Sequence, residues 1–444
     1  MPILLAAGAE AALRPLLVQL AVIILAARAG AVLARRLGQP SVVGEIVAGL
    51  VLGPSVFGAL APDLFARVFA GPTGQGGGLE AALTGFSQVG LVLLLFLIGI
   101  EFDFSHVRRQ GRTAALISLA GVAVPFLLGV GLAAAMAPRL EALGAVGPTE
   151  PRTFALFIGT ALSITAIPIL GRILIEMGLQ HTALGATVIA AAACDDAVGW
   201  TLLAAVSAVA LGNFEAAAIG RMVAATLAFA AAMLVLVRPL ALPVLERAVI
   251  DDGTGRPRLP LGWLSLLLAA LLLAALATSL IGIFAIFGAF LLGAGLSGSP
   301  RLREAVAGHL TDFVTVFFLP IFFTFTGLRT NIGSLGTPEA WLWCGAVFAA
   351  AVLGKWGGCG LAARLAGMPA REAACVGVLM NTRALMELIV VNVGMDLGVI
   401  PPAVYCMLVL MAIGTTLMAT PLATRLLRGT PHEAALAARG FLRP

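Results

Sequence analysis

Two adjacent carboxylates, Asp195 and Asp196, stand in the apolar run Ala-Ala-Ala-Cys194-Asp195-Asp196-Ala-Val-Gly-Trp200. A charge in the middle of such a run costs about 2.5–3.5 kcal/mol on membrane-insertion scales, so it needs a reason to be there. Consecutive helical residues point about 100° apart, so the two acids cannot serve one identical contact. One can meet a protein partner while the other faces a cavity. The chain also has 26 arginines and a single lysine, Lys355, inside Val-Leu-Gly354-Lys355-Trp356-Gly-Gly-Cys359. An arginine keeps its proton; a buried lysine can lose it, because desolvation favours the neutral amine. A lysine that pairs with an aspartate and exchanges a proton is the chemistry this combination offers. The alternative is a lysine that snorkels to the nearer membrane interface.

Two more runs break helix rules. In Thr160-Ala-Leu-Ser163-Ile-Thr165-Ala-Ile-Pro168, hydroxyls precede a proline that has no backbone donor and leaves the carbonyl near Ile164 free. Free carbonyls with the hydroxyls of Ser163 and Thr165 suit a dehydrated hard cation, and are tolerated in a membrane only beside protein or a cavity. In Met380-Asn381-Thr382-Arg383-Ala-Leu-Met-Glu387, polar groups interrupt an apolar frame. Arg383 and Glu387 lie four apart and can neutralise each other on one helix face. Structural support is the reading for Arg383, Glu387, Asn381, Thr382 and Pro168, with direct ion contact as the alternative for Arg383 and Glu387. Glu45 is expected to line a cytoplasmic funnel, Glu101 and Asp103 to sit at the inner interface, and Pro320 to mark a plain kink.

The elements that must position these groups follow from composition. The chain has 444 residues, 60% of them hydrophobic, with only 27 basic and 22 acidic side chains. That is less than half the charge of a soluble domain, which excludes a water-soluble globule, a disordered chain and a nucleic-acid partner. Apolar runs of membrane length predict an all-α membrane protein of about thirteen helices. They run over 16–36, 41–60, 83–101, 113–137, 153–176, 182–211, 219–246, 259–279, 281–298, 310–328, 340–363, 371–396 and 402–427. With the N-terminus outside, the inward loops gather most arginines, among them Arg35, Arg108, Arg256, Arg301, Arg371 and Arg428. The outward loops hold only Arg14, Arg67, Arg139, Arg152, Arg221 and Arg329. This bias predicts a multi-pass inner (plasma) membrane protein with a cytoplasmic C-terminus. Residues 1–428 read as the membrane domain and 429–444 as a short tail with no regulatory domain. The five cysteines (Cys194, Cys344, Cys359, Cys375, Cys406) have no paired spacing and read as small apolar residues. The four histidines (His106, His181, His309, His432) form no ligand pair, and no cofactor is expected.

An internal echo points to an architecture. Gly44-Glu-Ile-Val-Ala-Gly49 resembles Gly288-Ala-Phe-Leu-Leu-Gly293, and Phe-Leu-Ile-Gly99-Ile-Glu-Phe-Asp103 resembles Phe-Thr-Gly327-Leu-Arg-Thr-Asn331. Both matches are seven spans apart. An odd offset reverses direction in the membrane, which is the mark of inverted repeats in a secondary transporter. Small-xxx-small packing, common in any membrane protein, is the plainer explanation of each match alone.

The run Gly38-Gln-Pro-Ser-Val-Val-Gly-Glu-Ile-Val-Ala-Gly-Leu-Val-Leu-Gly-Pro54, the Gly99 and Gly327 segments, Asp195-Asp196 and Asn381-Thr-Arg-Ala-Leu-Met-Glu387 resemble the monovalent cation:proton antiporter family 2. The resemblance covers nearly the whole chain. It implies the sodium/proton antiporter fold, with inverted repeats and two broken helices, spans 5 and 12, crossing beside the aspartates. It also implies a homodimer, in which spans 1–3 and 8–10 form the scaffold, span 7 the linker, and spans 4–6 and 11–13 the ion-transporting core. By the same resemblance Asp195 bonds Lys355 and Asp196 binds the ion, Na⁺ or K⁺, in exchange for H⁺. The implied activity is exchange of a monovalent cation for protons, and a gated potassium-efflux carrier without obligatory proton exchange is the alternative. The glutathione-gated branch fits less well, since it carries a nucleotide-binding domain and often one acid at the paired site. An intramembrane aspartyl protease needs its two aspartates on separate helices, so an enzyme is not expected.

Overall fold

A computed structural model describes residues 2–39, 41–70, 76–101, 111–141, 143, 150–180, 182–210, 216–251, 253, 255–383 and 385–438. The described residues are mostly helical, with a two-strand turn pairing Ile250–Asp251 with Pro257–Arg258. The helices are α1 Pro2–Arg36, α2 Ser41–Leu52, α3 Gly76–Glu101, α4 Gly111–Met136, α5 Pro151–Ser163, α6 Ile167–Glu176, α7 Ala183–Ala210, α8 Ala216–Ala232 and α9 Arg238–Ala248. They continue as α10 Leu261–Ile281, α11 Ala285–Leu296, α12 Pro300–Phe313, α13 Leu319–Leu328, α14 Pro338–Val352, α15 Gly358–Leu365, α16 Ala370–Met380, α17 Leu385–Asp396 and α18 Pro402–Leu426. Three of the joins are π turns that leave the helix unbroken: Met233–Val237 between α8 and α9, Val314–Phe318 between α12 and α13, and Leu353–Gly357 between α14 and α15. Pro320, where a kink is expected, is the second residue of α13, just after the Val314–Phe318 π turn.

Among the described residues, 10 helices are long and apolar enough to cross a membrane. Ala285–Leu296 is apolar but shorter. The runs 153–176 and 371–396 are each split in two, so neither half meets that length. Gly282, at φ +97° in the left-handed region, closes α10 and separates it from α11 where hydropathy is nearly continuous.

By its contacts the chain forms two compact units. The first comprises Met1–Leu25, Pro62–Asp103 and Gly212–Phe325; the second comprises Ala26–Ala61, Phe104–Leu211 and Thr326–Pro444. Most of the first unit is α3 and α8–α12. There α3 and α11 approach through glycine: a Cβ on Gly99 would run into the Phe290 carbonyl, and one on Gly293 into the Phe96 carbonyl. The second unit holds α2, α4–α7 and α14–α18. In it Gly30 and Gly44 each press on the other's carbonyl, and Gly327 packs on the backbone of Gly49. Small residues are what let membrane helices come this close.

Polar contacts at the helix ends respect the alternation of spans. Arg139 pairs with Glu339 at 2.7 Å and Arg329 with Asp396 at 2.5 Å, joining ends that the span count puts on one side. Arg301 with Asp251 at 3.0 Å, and Arg371 donating to the Arg428 carbonyl at 2.8 Å, join ends assigned to the other.

The glycine contacts set a test of packing. Gly44→Val is expected to lower stability by about 1–3 kcal/mol, the usual cost of overpacking, seen as a lower melting temperature in detergent. Gly131→Ala, with nothing within 4 Å of the added carbon, is expected to be neutral or slightly stabilising.

Candidate functional site

The site lies in the second unit, where two interrupted helices meet a third that is continuous. The run 153–176 stops at Ser163; Ile164 is extended (φ −87°, ψ 143°), and the helix resumes at Ile167. Two β-branched residues, Ile164 and Thr165, resist the helix here. Pro168 becomes the second residue of α6, where no intrahelical donor is missed. The run 371–396 stops at Met380 and resumes at Leu385. The two breaks bond each other: the Ala166 amide donates to the Thr382 carbonyl at 3.2 Å, and the Thr165 hydroxyl lies 3.0 Å from the Met380 carbonyl.

A helix end leaves carbonyls without partners, and inside a membrane each must find one. Arg383 supplies most of them for α5. Its Nη1 donates to the Ala161 carbonyl at 3.1 Å and its Nη2 to the Leu162 carbonyl at 2.7 Å. Ser163 Oγ donates to the Thr160 carbonyl at 2.8 Å. A guanidinium suits this position because it presents five donors in a planar fork, and its charge opposes the negative end of the α5 dipole. Arg383 also reaches Glu387 Oε2 at 3.3 Å and Asn381 Oδ1 at 3.4 Å, and its own amide donates to Thr416 Oγ1 on α18 at 3.3 Å. Arg383, Glu387, Asn381 and Thr382 are all buried.

α7 runs unbroken past these breaks. Asp195 Oδ2 accepts a hydrogen bond from Lys355 Nζ and lies 2.9 Å from Thr165 Oγ1. The ion pair is fully buried on both sides. Lys355 arrives on the π turn Leu353–Gly357, an irregularity often found where a helix carries function. Asp196 is buried too, and its Oδ1 has no hydrogen-bond partner. Asp195 Oδ1, Thr382 Oγ1 and Glu387 Oε1 are likewise buried without partners. All four are oxygens, the atom type that hard cations take as ligands. Of the hydroxyls expected to contact an ion, Thr165 reaches Asp195, whereas Ser163 is turned to its own helix.

The spacing of Lys355 from Asp195 depends on residues that carry no charge. Gly121 of α4 abuts the pair: a Cβ there would lie 2.5 Å from Cys359 Sγ, 3.5 Å from Lys355 Nζ and 3.6 Å from Asp195 Oδ2. Gly354 packs as closely on Pro125. Reading the sequence misses Gly121 and Thr416, because one glycine or threonine among many in apolar spans carries no distinguishing signal. Cys359 is buried beside the pair, its Sγ 3.6 Å from the Ile117 carbonyl, and all five cysteines are free. Glu45 is buried in α2, and Glu101 is exposed at the end of α3. Asp103, His106 and His181 lie outside the described residues. Among the described residues no three His, Cys, Asp or Glu cluster as metal ligands.

Residues 2–429 match the family model described as sodium/hydrogen exchanger, transmembrane. The Na⁺/H⁺ antiporter NhaS4 of Synechocystis is 37% identical over 94% of this chain and 98% of its own length. The cation/H⁺ antiporter 20 of Arabidopsis thaliana is 37% identical over 91% of this chain but 48% of its own length. The K⁺/H⁺ antiporter 1 of Saccharomyces cerevisiae is 30% identical over 86% of this chain and 43% of its own. The chain thus spans about half of these two eukaryotic relatives. Among solved structures, the sodium proton antiporter MjNhaP1 from Methanocaldococcus jannaschii shares the fold, with a TM-score of 0.63 over 97% of this chain and 100% of that one, at 16% identity.

Replacing Arg383 tests the account of the breaks. Arg383→Met strands two carbonyls and the Glu387 carboxylate, with an expected loss of about 3–5 kcal/mol, the cost of breaking a buried pair from one side. Arg383→Lys is expected to recover little of it, because an ammonium cannot span the same acceptors. Thermal unfolding of the detergent-solubilised protein measures both.

Proposed function

The chain belongs to the sodium/hydrogen exchanger family, and on that premise we propose that Asp195, Asp196 and Lys355 form the site at which a monovalent cation is exchanged for protons. The protein is a multi-pass membrane transporter, not an enzyme, and its relatives are named as Na⁺/H⁺, K⁺/H⁺ and cation/H⁺ antiporters. The observation that carries the proposal is the buried Lys355–Asp195 pair next to a second buried acid with an unpartnered oxygen.

The mechanism follows from charge. Two carboxylates and one ammonium leave a single net negative charge in a site of low dielectric, where charge interacts strongly. One proton on Asp196 neutralises it, and so does one Na⁺ or K⁺. Because both neutralise the same charge, they compete, and competition for one site gives exchange rather than symport. A cation bound between the acids also draws Asp195 away from Lys355. The released ammonium is then free to give up its proton. Thr165 Oγ1 and the unpaired oxygen of Thr382 offer neutral ligands to the dehydrated ion, with Ser163 more remote. Arg383 and Glu387 balance each other and hold the breaks open, leaving the ion site its own net charge.

The membrane arrangement belongs to the same reading. Thirteen crossings, an outside N-terminus and a cytoplasmic C-terminus in the plasma membrane follow from the span count and the arginine bias. The glycine contacts support inverted repeats: α2 packs on the end of α13 and α11 packs on α3, which is the exchange of partners expected if α2 corresponds to α11 and α3 to α13. A homodimer and a moving core complete the scheme. Movement then depends on the loaded and empty sites differing in stability, since an ion that bound both states equally would drive nothing.

Purified protein in liposomes with a trapped pH dye, challenged with Na⁺ and K⁺ in turn, tests the exchange. Asp196→Asn is expected to abolish it while the protein still folds and inserts; undiminished exchange would defeat the assignment. Lowering pH is expected to raise the apparent KM for the cation, by about tenfold per unit where one proton competes, with the maximal rate much less affected.

A further inference from the structure

We propose that the cleft between α14–α15 and α16, in the second unit, binds one anionic phospholipid of the inner leaflet. The cleft has a volume of about 480 Å³ and is lined by Trp356, Gly357, Gly360, Leu361, Arg364 and Ala373 among others. That volume is within the roughly 300–1,000 Å³ usual for small-molecule sites. Small residues on both walls make the room. The leucines of its rim face outward: Leu353, Leu361 and Leu365 are 67%, 62% and 79% exposed. On a membrane helix such leucines meet lipid, so the neighbouring molecule is an acyl chain rather than a soluble partner.

Length and charge narrow the occupant. From Val352 to Arg364 the helix rises roughly 18 Å at 1.5 Å per residue, close to the roughly 15 Å of hydrocarbon in one leaflet. Arg364 is the one charged residue of the lining, and the arginine bias of the loops puts its end of the helix on the inner side. One of its nitrogens donates to the Met368 carbonyl at 2.9 Å, leaving the rest of the fork for a phosphate. α16 opens at the same mouth with no side-chain cap, so its first amides add a second attraction for an anion. The nearby acid, Glu372, lies in the first turn of α16 with His432 Nε2 3.8 Å from its carboxylate. An apolar slot one leaflet long, with an anion-binding inner end, matches a phospholipid.

The occupant would also touch the transport site from behind. Trp356 and Gly357 belong to the π turn that carries Lys355, and Gly377 of α16 abuts the Trp356 carbonyl. A seated acyl chain fixes the distance between that turn and α16, and so tunes how Lys355 meets Asp195. This second step rests on the exchange reading above; the binding does not.

Native mass spectrometry of the purified full chain, titrated with phosphatidylglycerol or phosphatidylcholine, reads the binding with no ion flux. The wild type is expected to retain one phosphatidylglycerol in preference to phosphatidylcholine. Arg364→Gln is expected to weaken that retention about fivefold, the ~1 kcal/mol one arginine contributes at an anionic lipid surface. Ala374→Leu, which fills the cleft, is expected to remove it. In liposomes, phosphatidylglycerol is expected to speed exchange by the wild type, and both variants to lose that gain while matching the wild type in pure phosphatidylcholine. No preference for phosphatidylglycerol, or equal retention by all three proteins, would overturn the site. Preserved binding with equal acceleration in all three would overturn the tuning of Lys355.

Discussion

A lysine and an aspartate sealed from water form the constraint around which the second unit is organised. Taking both charges out of water costs more than their attraction usually returns, so such a pair is poor evidence of stability. It is held in a closely packed setting. Gly121 and Gly354 let α4 approach α15 and the π turn of Lys355 closely. The snorkelling alternative is thereby removed: the amine is fully buried and bonded to Asp195.

The broken helices follow from the same constraint. Helices that cross a membrane satisfy their backbone internally, and an unbroken pair would offer an ion only side chains. Stopping α5 at Ser163 and α16 at Met380 exposes carbonyls at the depth of the aspartates, and those carbonyls must be answered. Each break answers part of the other's need, through Ala166 to Thr382 and Thr165 to Met380. Arg383 answers the rest. Its hydrogen bonds to the Ala161 and Leu162 carbonyls and to Glu387 favour the support reading of its sequence context.

Much of this was legible in the residues, because charges buried in apolar runs are few and each stands out. The lone lysine, the paired acids and the polar interruptions all lie within one unit and largely in contact. Some helix ends were legible too, as at 113–137, 182–211 and 402–427, whereas α1 begins at Pro2 rather than 16, α2 ends at Leu52 rather than 60 and α12 begins at Pro300 rather than 310. What could not be read is geometry set by neighbours distant in sequence. Ser163 and Thr165 look alike on paper, yet one turns to the Thr160 carbonyl and the other to Asp195. The three π turns leave no pattern in hydropathy, because an extra residue in a turn shifts a face without changing composition. Gly121 matters for what it lacks, and only the residues across from it make that lack visible.

The two buried cations, Lys355 and Arg383, divide the work by chemistry. Each is fully buried within reach of a carboxylate in the same unit. Exchanging their positions would defeat both roles. An ammonium at 383 cannot reach two carbonyls and a carboxylate at once, so a break would be left open-ended. A guanidinium at 355 would keep the pair charged but would never release a proton. A chain that uses arginine at 26 positions and lysine at one has placed the exception beside two acids. On the exchange reading proposed above, the ability to become neutral has a consequence there: it changes whether the neighbouring carboxylate is free to hold an ion.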